Sequence, residues 1–171
     1  MTRYVMVIDQ RRCIGCHSCT VACRTWNKLP LDIVYNPVVT EGAQGTWPNV
    51  HKSWQPLLCM HCENPECVPC CPSGASQQDE DGTVWVDPKK CLSCKVCVNA
   101  CPYSVPRIDE ASGLSYKCDG CIELRKQGYQ PACVEACPYR ALDFGDVDGL
   151  AVGVELHQAT QGHESVRRVV D

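Results

Sequence analysis

Hydrophobic residues along this chain fall into short runs separated by polar and turn-forming residues, which predicts short strands and helices. Apolar, β-branched runs predict a first strand over residues 4–8 and a closing strand over residues 139–144. An Asp-Gly dipeptide at 81–82, followed by an alternating run at 84–86, predicts a hairpin. A short helix is predicted over residues 122–127, ended by the glycine that follows it.

Residues 27–58 interrupt this pattern, because prolines and glycines recur there and predict a mostly irregular connector. Trp47 and Trp54 lie in this connector, and we expect both to pack over neighbouring cysteine sites, with a protein–protein surface as the alternative. Ahead of the connector, residues 20–26 predict a helical turn that continues past a group of cysteines. At the other end, residues 150–171 predict a tail or short helix that needs a neighbour to order it.

Cysteine changes this picture more than any apolar residue does. It supplies 17 of 171 residues, the level at which a short chain is organised by disulfides or metal. No secretory signal pattern opens the sequence, so we expect folding in a reducing cytosol, where metal ligation is favoured over disulfides. A net charge of −4 disfavours nucleic acid as a partner, and no apolar run has the length of a membrane span. Without a phosphate loop, nucleotide fingerprint or catalytic triad, we expect no catalytic site of the chain's own.

Sixteen of the cysteines form four groups, and each group closes with the spacing C-x3-C. The third group, residues 91–102, has the spacing C-x2-C-x2-C-x3-C-P of two-cluster bacterial ferredoxins. In that spacing three thiolates hold one [4Fe–4S] cluster and the fourth holds another, so each fourth cysteine should leave its own group. Residues 13–23 repeat the spacing without the proline, and residues 59–72 and 118–138 are longer variants. Four [4Fe–4S] clusters would use all sixteen cysteines.

One cysteine remains outside the groups. Cys71 is a better ligand than Cys70 because it keeps the C-x3-C spacing and precedes a proline, which leaves Cys70 as a small buried thiol. A zinc-stapled binding module is the alternative to iron–sulfur clusters, but the third and fourth cysteines of the ferredoxin spacing would be redundant for zinc. His17 and His61 lie inside complete groups, so we expect them to face solvent or to hydrogen-bond behind the ligands.

Four cysteine groups in this order, with the last one split, resemble the iron–sulfur electron-transfer subunit of the dimethyl sulfoxide reductase family. The similarity covers residues 3–146. Its most specific pieces are C-P-S-G-A from Cys71, C-P-Y from Cys101, K-C-D-G-C from Lys117 and C-V-E-A-C-P-Y-R-A-L-D-F-G from Cys133.

The resemblance implies an α+β fold of two ferredoxin-like dicluster lobes related by pseudo-symmetry, with short strands and helices around four [4Fe–4S] clusters. One lobe would combine residues 1–26 with 103–146, and the other would span residues 57–102. Residues 27–56 would form a long irregular insert for docking, and residues 147–171 a C-terminal tail.

The resemblance also implies that group one pairs with group four and group two with group three. The implied ligands are Cys13, Cys16, Cys19 and Cys137 for cluster 1; Cys118, Cys121, Cys133 and Cys23 for cluster 2; Cys59, Cys62, Cys67 and Cys101 for cluster 3; and Cys91, Cys94, Cys97 and Cys71 for cluster 4. Some relatives replace the second cysteine of group three and hold a three-iron centre. Cys94 occupies that position here, so a four-iron cluster is expected.

Function and partners follow from the same resemblance. The clusters would relay single electrons between a large molybdenum or tungsten bis-pterin guanine dinucleotide catalytic subunit and a membrane quinone subunit or a soluble redox partner, in anaerobic respiration. Because such a subunit can be exported folded with a partner that carries a twin-arginine signal, its final site would be periplasmic and membrane-associated, or cytoplasmic. The alternative is a free-standing or hydrogenase-associated polyferredoxin.

Overall fold

A computed structural model describes residues 4–146 and 166–169, which form short helices and strands in four small sheets. The strands and helices in chain order are β1 (Tyr4–Asp9), α1 (Ser18–Asn27), β2 (Val38–Thr40), β3 (Trp54–Pro56), β4 (Ser76–Gln78), β5 (Val84–Val86), α2 (Val96–Ala100), β6 (Arg107–Ile108), β7 (Ser115–Tyr116), α3 (Ile122–Lys126), α4 (Ala132–Glu135), β8 (Leu142–Asp146) and β9 (Val166–Val169). In this part of the chain, no helix has the length and apolar character needed to cross a membrane. The α+β class predicted from the sequence is confirmed.

The largest sheet joins the two ends of the chain in the order β8-β1-β9. β1 runs antiparallel to β8, and Tyr4 stacks on Phe144 with ring centroids 5.4 Å apart. Met6, Ile8 and Leu142 turn into a core that also contains buried thiols of α1 and α4. The predicted first and closing strands are therefore confirmed, although β8 begins only at Leu142 because the left-handed backbone at Arg140 (φ 49°) turns the chain there.

The expected tail contributes a strand instead. Residues 166–169 pair in parallel with β1, in register from Met6↔Val166 to Asp9↔Val169. A strand edge offers unpaired backbone N–H and C=O groups, and a distant segment can satisfy them without any local sequence signal. For these four residues the prediction of a tail or short helix is wrong, while residues 147–165 and 170–171 lie outside the described residues.

Two further hairpins surround the middle cysteine groups. β4 and β5 pair antiparallel, from Ser76↔Val86 to Gln78↔Val84, and Gly82 takes a positive φ of 80° in the loop between them. β6 and β7 form a second small pair. The predicted hairpin around residues 81–82 and the predicted helix that ends before Gly128 are both confirmed.

The connector between groups one and two contains more order than its composition predicts. β2 and β3 pair antiparallel, and an isolated bridge joins Gln44 to His51 further along the same arm. Trp54 packs on the first cysteine loop so closely that a Cβ added at Gly15 would lie 2.3 Å from its ring. The expected packing is thus confirmed for Trp54, but Trp47 is 87% exposed and its predicted packing is wrong.

Candidate metal centres

Four cysteine thiols from two different groups line one cavity, which we call cavity A. They are Cys71 from group two and Cys91, Cys94 and Cys97 from group three, the four residues expected at cluster 4. The loop of group three wraps around the cavity because Ser93 and Lys95 take left-handed backbone angles, with φ of 57° and 62°.

A second cavity, which we call cavity B, has the same construction in the other half of the protein. Its thiols are Cys13, Cys16, Cys19 and Cys137, the four residues expected at cluster 1. Gly15 and His17 supply left-handed angles of 69° and 60° at the two loop positions that Ser93 and Lys95 occupy around cavity A. The two loops therefore share one backbone path as well as one cysteine spacing.

All four cysteine groups share one part of this path. The residue two positions after the first cysteine is left-handed in every group, at Gly15, His61, Ser93 and Gly120. Only two of the four are glycine, the residue that adopts this conformation without strain. The two glycines are a signal that the sequence carries, whereas left-handed His61 and Ser93 leave no such signal.

The four cysteines expected at cluster 2 lie together in the core. Cys23 comes from α1, Cys133 from α4, and Cys118 and Cys121 from the loop before α3, and all four are buried. Burial raises the pKa of Cys23 to about 12, and negative charge on Cys121 acts in the same direction. Burial also raises the pKa of Cys133, followed by the charges of Cys23 and Cys121.

Three of the four cysteines expected at cluster 3 are brought together by described interactions. Cys59 lies in a small buried cluster with Val105 and Cys118, a cysteine expected at cluster 2, and Cys101 packs against this cluster. Burial raises the pKa of Cys67 to about 11, and the charges of Cys59 and Cys101 contribute to that shift. Cys62 follows in the same loop, where its backbone carbonyl accepts a hydrogen bond of 3.0 Å from Gln78 Nε2.

This arrangement fits a cluster of several iron atoms better than a single metal ion. A tetrahedral zinc ion needs four ligands about 2.3 Å from one point. Within residues 4–146, no three His, Cys, Asp or Glu side chains converge in that way. The eight thiols of cavities A and B instead stand around the two cavities, as ligands of separate iron atoms would. Since a metal-bound cysteine is a thiolate, cluster assembly would displace the protons that the raised pKa values hold on the buried thiols.

The two histidines inside the groups have different surroundings. His17 is exposed at the rim of cavity B, as expected. His61 is buried, and its Nδ1 accepts the backbone N–H of Val84 at 3.0 Å, so of the two expected roles it is a hydrogen bonder and does not face solvent. Burial holds the pKa of His61 well below the usual range, and the charges of Lys117 and Arg125 lower it further. Neutral His61 therefore ties group two to the β4–β5 hairpin.

Sequence reasoning missed one buried and one partly buried cation beside these thiols. Lys117 is 5% exposed, and its Nζ donates to the carbonyl oxygens of Val84 and, at 2.7 Å, of Cys118. Arg125 donates from Nη1 to Asp81 Oδ2 and from Nε to the carbonyl oxygen of Gly120, each at 2.9 Å. Burial disfavours ionisation of Asp81, but hydrogen bonds from Arg125 and Thr83 outweigh it and lower the pKa of this carboxyl group. The only sequence signal was the position of Lys117 directly before a cysteine.

Comparison with known families agrees with this geometry. Residues 50–147 match the 4Fe-4S dicluster domain family, and residues 4–25 match the 4Fe-4S binding domain family. The fold and the cysteine sites therefore define an iron–sulfur protein of the 4Fe-4S class.

Relatives that match most of the chain identify its family. The protein is 41% identical over 157 residues to the B chain of the anaerobic dimethyl sulfoxide reductase of Escherichia coli K12, a match that covers 87% of this protein and 76% of the relative. It is 42% identical over 148 residues to the thiosulfate reductase electron transfer subunit PhsB of Salmonella typhi, covering 85% and 77%. The B subunit of the selenate reductase of Mesobacillus selenatarsenatis is 49% identical over 107 residues, covering 63% and 36%. The protein belongs to the iron–sulfur β subunits of the dimethyl sulfoxide reductase family of molybdoenzymes.

Replacing Cys94 with serine should change one cluster and leave the others intact. Cys94 is exposed at the mouth of cavity A, so its loss need not disturb the core. Because the other three thiols of the cavity remain, we expect a three-iron centre in place of one four-iron cluster. Electron paramagnetic resonance of the isolated holoprotein checks this. Four unchanged four-iron signals would contradict the ligand set.

The neighbours Cys70 and Cys71 offer a matched pair of substitutions. Cys71 lines cavity A, whereas Cys70 lies half-buried outside its lining. We expect Cys71→Ser to weaken or remove the cluster of cavity A, and Cys70→Ser to leave the iron content at the wild-type level. Iron and acid-labile sulfide per chain are the measurement. Loss of a cluster from Cys70→Ser would reverse the assignment of the fourth ligand.

Proposed function

We propose that this protein is an electron-transfer subunit that carries four [4Fe–4S] clusters and relays single electrons between a molybdopterin catalytic subunit and a second redox partner. The second partner is a membrane quinone subunit or a soluble protein. The ligands are the four sets of cysteines given above for clusters 1 to 4. The chain itself performs no substrate chemistry.

The observation that carries this proposal is the crosswise sharing of thiols in the two cavities. Cys71 closes cavity A with three thiols of group three, and Cys137 closes cavity B with three thiols of group one. In two-cluster ferredoxins this exchange holds a pair of clusters close together in one small lobe. Two such pairs provide a series of one-electron carriers, which is what electron transfer between distant sites needs.

The relatives support a docked rather than a free carrier. Two relatives that match over most of their length are named as the B chain of a dimethyl sulfoxide reductase and as an electron transfer subunit of thiosulfate reductase. We therefore infer a large molybdenum or tungsten bis-pterin guanine dinucleotide subunit as the partner of this protein. The arm built on β2 and β3, with Trp47 exposed at its end, is a surface suited to such docking.

Anaerobic purification from the native source tests both parts of the proposal. We expect the protein to co-elute with a large protein that contains molybdenum or tungsten, and to carry about sixteen iron and sixteen acid-labile sulfide atoms, as four cubane clusters require. Elution of the protein alone would favour a free polyferredoxin and exclude the docked subunit. A colourless protein that contains zinc would exclude electron transfer altogether.

A further inference from the structure

Two buried hydroxyl groups face cavity A. Ser76 and Ser115 are 4% and 6% exposed, and both line the cavity together with its four thiols. Ser115 Oγ lies 3.4 Å from the Sγ atom of Cys97. Ser76 Oγ is buried and has no hydrogen-bond partner among the described residues. A buried hydroxyl without a well-formed hydrogen bond is costly, and a cluster in cavity A would supply an acceptor for it. Ser76 also acts on the thiol of Cys67, a ligand expected at cluster 3, so its hydroxyl group lies between that thiol and cavity A.

The lining of cavity B contains no serine, but its thiols have other donors: the backbone N–H of Ala141 donates to Cys137 Sγ at 3.2 Å, and Thr20 acts on the thiol of Cys19. Its inner wall consists of apolar residues, among them Val38, Pro56 and Leu142. Serine does occur near one of its thiols, where Ser18 Oγ lies 3.5 Å from Cys16 Sγ, but this contact is exposed. Around cavity A the corresponding outer contact is made by Ser73, 3.6 Å from Cys71 Sγ. The two cavities therefore have similar outer contacts, and buried serines occur in the lining of cavity A alone among these two.

The positions of both serines are fixed by strand pairing. Ser76 opens β4 opposite Val86, and Ser115 opens β7 opposite Ile108. Val86 and Ile108 also line cavity A, so both hairpins form its wall. Polar groups that are held by paired backbone keep their orientation better than groups on loops. The hydroxyls are thus placed at the cavity before any cluster is bound.

We propose that Ser76 and Ser115 donate hydrogen bonds to the sulfur atoms of the cluster in cavity A and thereby raise its reduction potential. Donation to sulfur stabilises the reduced cluster more than the oxidised one, because the reduced cluster carries the greater negative charge. The effect is strengthened by burial, since hydrogen bonds are stronger in a low dielectric. Both serines contact the cluster without binding iron, and their effect is on its reduction potential. The inference rests on the ligand set given under the proposed function.

Alanine variants of the holoprotein test the proposal by redox titration followed by electron paramagnetic resonance. We expect the potential of one cluster to fall in Ser115→Ala and in Ser76→Ala, and to fall further in the double variant, while the other three potentials stay unchanged. Ser115→Thr keeps a hydroxyl group and should restore much of the potential. Ser53→Ala removes a hydroxyl bonded to Glu41 in the β2–β3 arm and should move no potential.

Cys94→Ser identifies which signal belongs to cavity A. Full iron content with unchanged potentials in both Ser76→Ala and Ser115→Ala would overturn the proposal. An equal shift in the potentials of all four clusters would also overturn it, because it indicates a structural effect. Because Ser76 also influences Cys67, a shift confined to a signal that Cys94→Ser leaves unchanged would overturn the role of Ser76. If Cys94→Ser alters no signal, the ligand set itself fails, which is a different result from unchanged potentials in the serine variants.

Discussion

Removal of iron should abolish the cooperative folding of this protein. Thiols occupy many of its buried positions, which include Cys19, Cys23, Cys59, Cys118, Cys121 and Cys133. The strands are short, so few apolar residues are left to hold the fold when the clusters are gone. The net stability of a domain is only about 5–15 kcal/mol. When the unfolded chain has no metal site, the free energy of metal binding adds to the free energy of folding, and it is of comparable size.

Iron is chelated from the reduced, unfolded protein, which is then returned to native buffer. The expected result is that the iron-free protein shows neither a cooperative thermal transition nor near-ultraviolet circular dichroism. Adding ferrous iron and sulfide back should restore both signals, whereas zinc alone should not. An iron-free protein that melts cooperatively at the holoprotein temperature would contradict the prediction. Full recovery with zinc alone would instead support the zinc-stapled module considered for the sequence.

The predictable part of this protein was the part determined by local chemistry. The spacing of residues 91–102 implied a cluster and a fourth ligand that leaves its group, and the structure brings Cys71 to that group. Residues 4–8 and 84–86 were identified as strands because alternation and β-branching are local signals. The pairing of groups came only from the family resemblance, since spacing does not say which group receives the fourth cysteine.

The features that were missed depend on distant contacts. Residues 166–169 form a strand because they pair with the free edge of β1. The residues around them in the sequence do not predict this pairing. Lys117 and Arg125 look like solvated surface in the sequence, and only the packing of two cysteine groups against the β4–β5 hairpin buries them. His61 is buried by the same packing. A polar residue is predicted as exposed by default, so polar contacts within the core are the least predictable part of such a fold.

Arg125→Ala should destabilise the holoprotein by about 1–3 kcal/mol, the usual cost of losing hydrogen bonds between charged groups in a partly buried site. The side chain is 12% exposed, and it joins three parts of the protein. Its guanidinium group contacts Asp81 in the β4–β5 loop and Gly120 in the loop of group four. It also lies 5.0 Å above the ring of Tyr4, which stacks on Phe144 in the large sheet. Removing it leaves Asp81 without its ion pair.

Lys126 is the matched control, because it follows Arg125 in α3 and forms an ion pair with Glu123 that is 3.2 Å long but mostly exposed. Lys126→Ala should change the free energy of unfolding by about 0.5 kcal/mol or less. Arg125→Lys separates charge from geometry, since it retains a cation near Tyr4 but not the planar fork that contacts Asp81 and Gly120 at the same time. Anaerobic denaturant titration should therefore place Arg125→Lys between the wild type and Arg125→Ala. Equal stability of Arg125→Ala and Lys126→Ala would contradict the prediction and would mean that this contact adds nothing to the packing of the β4–β5 loop, the loop of group four and the large sheet.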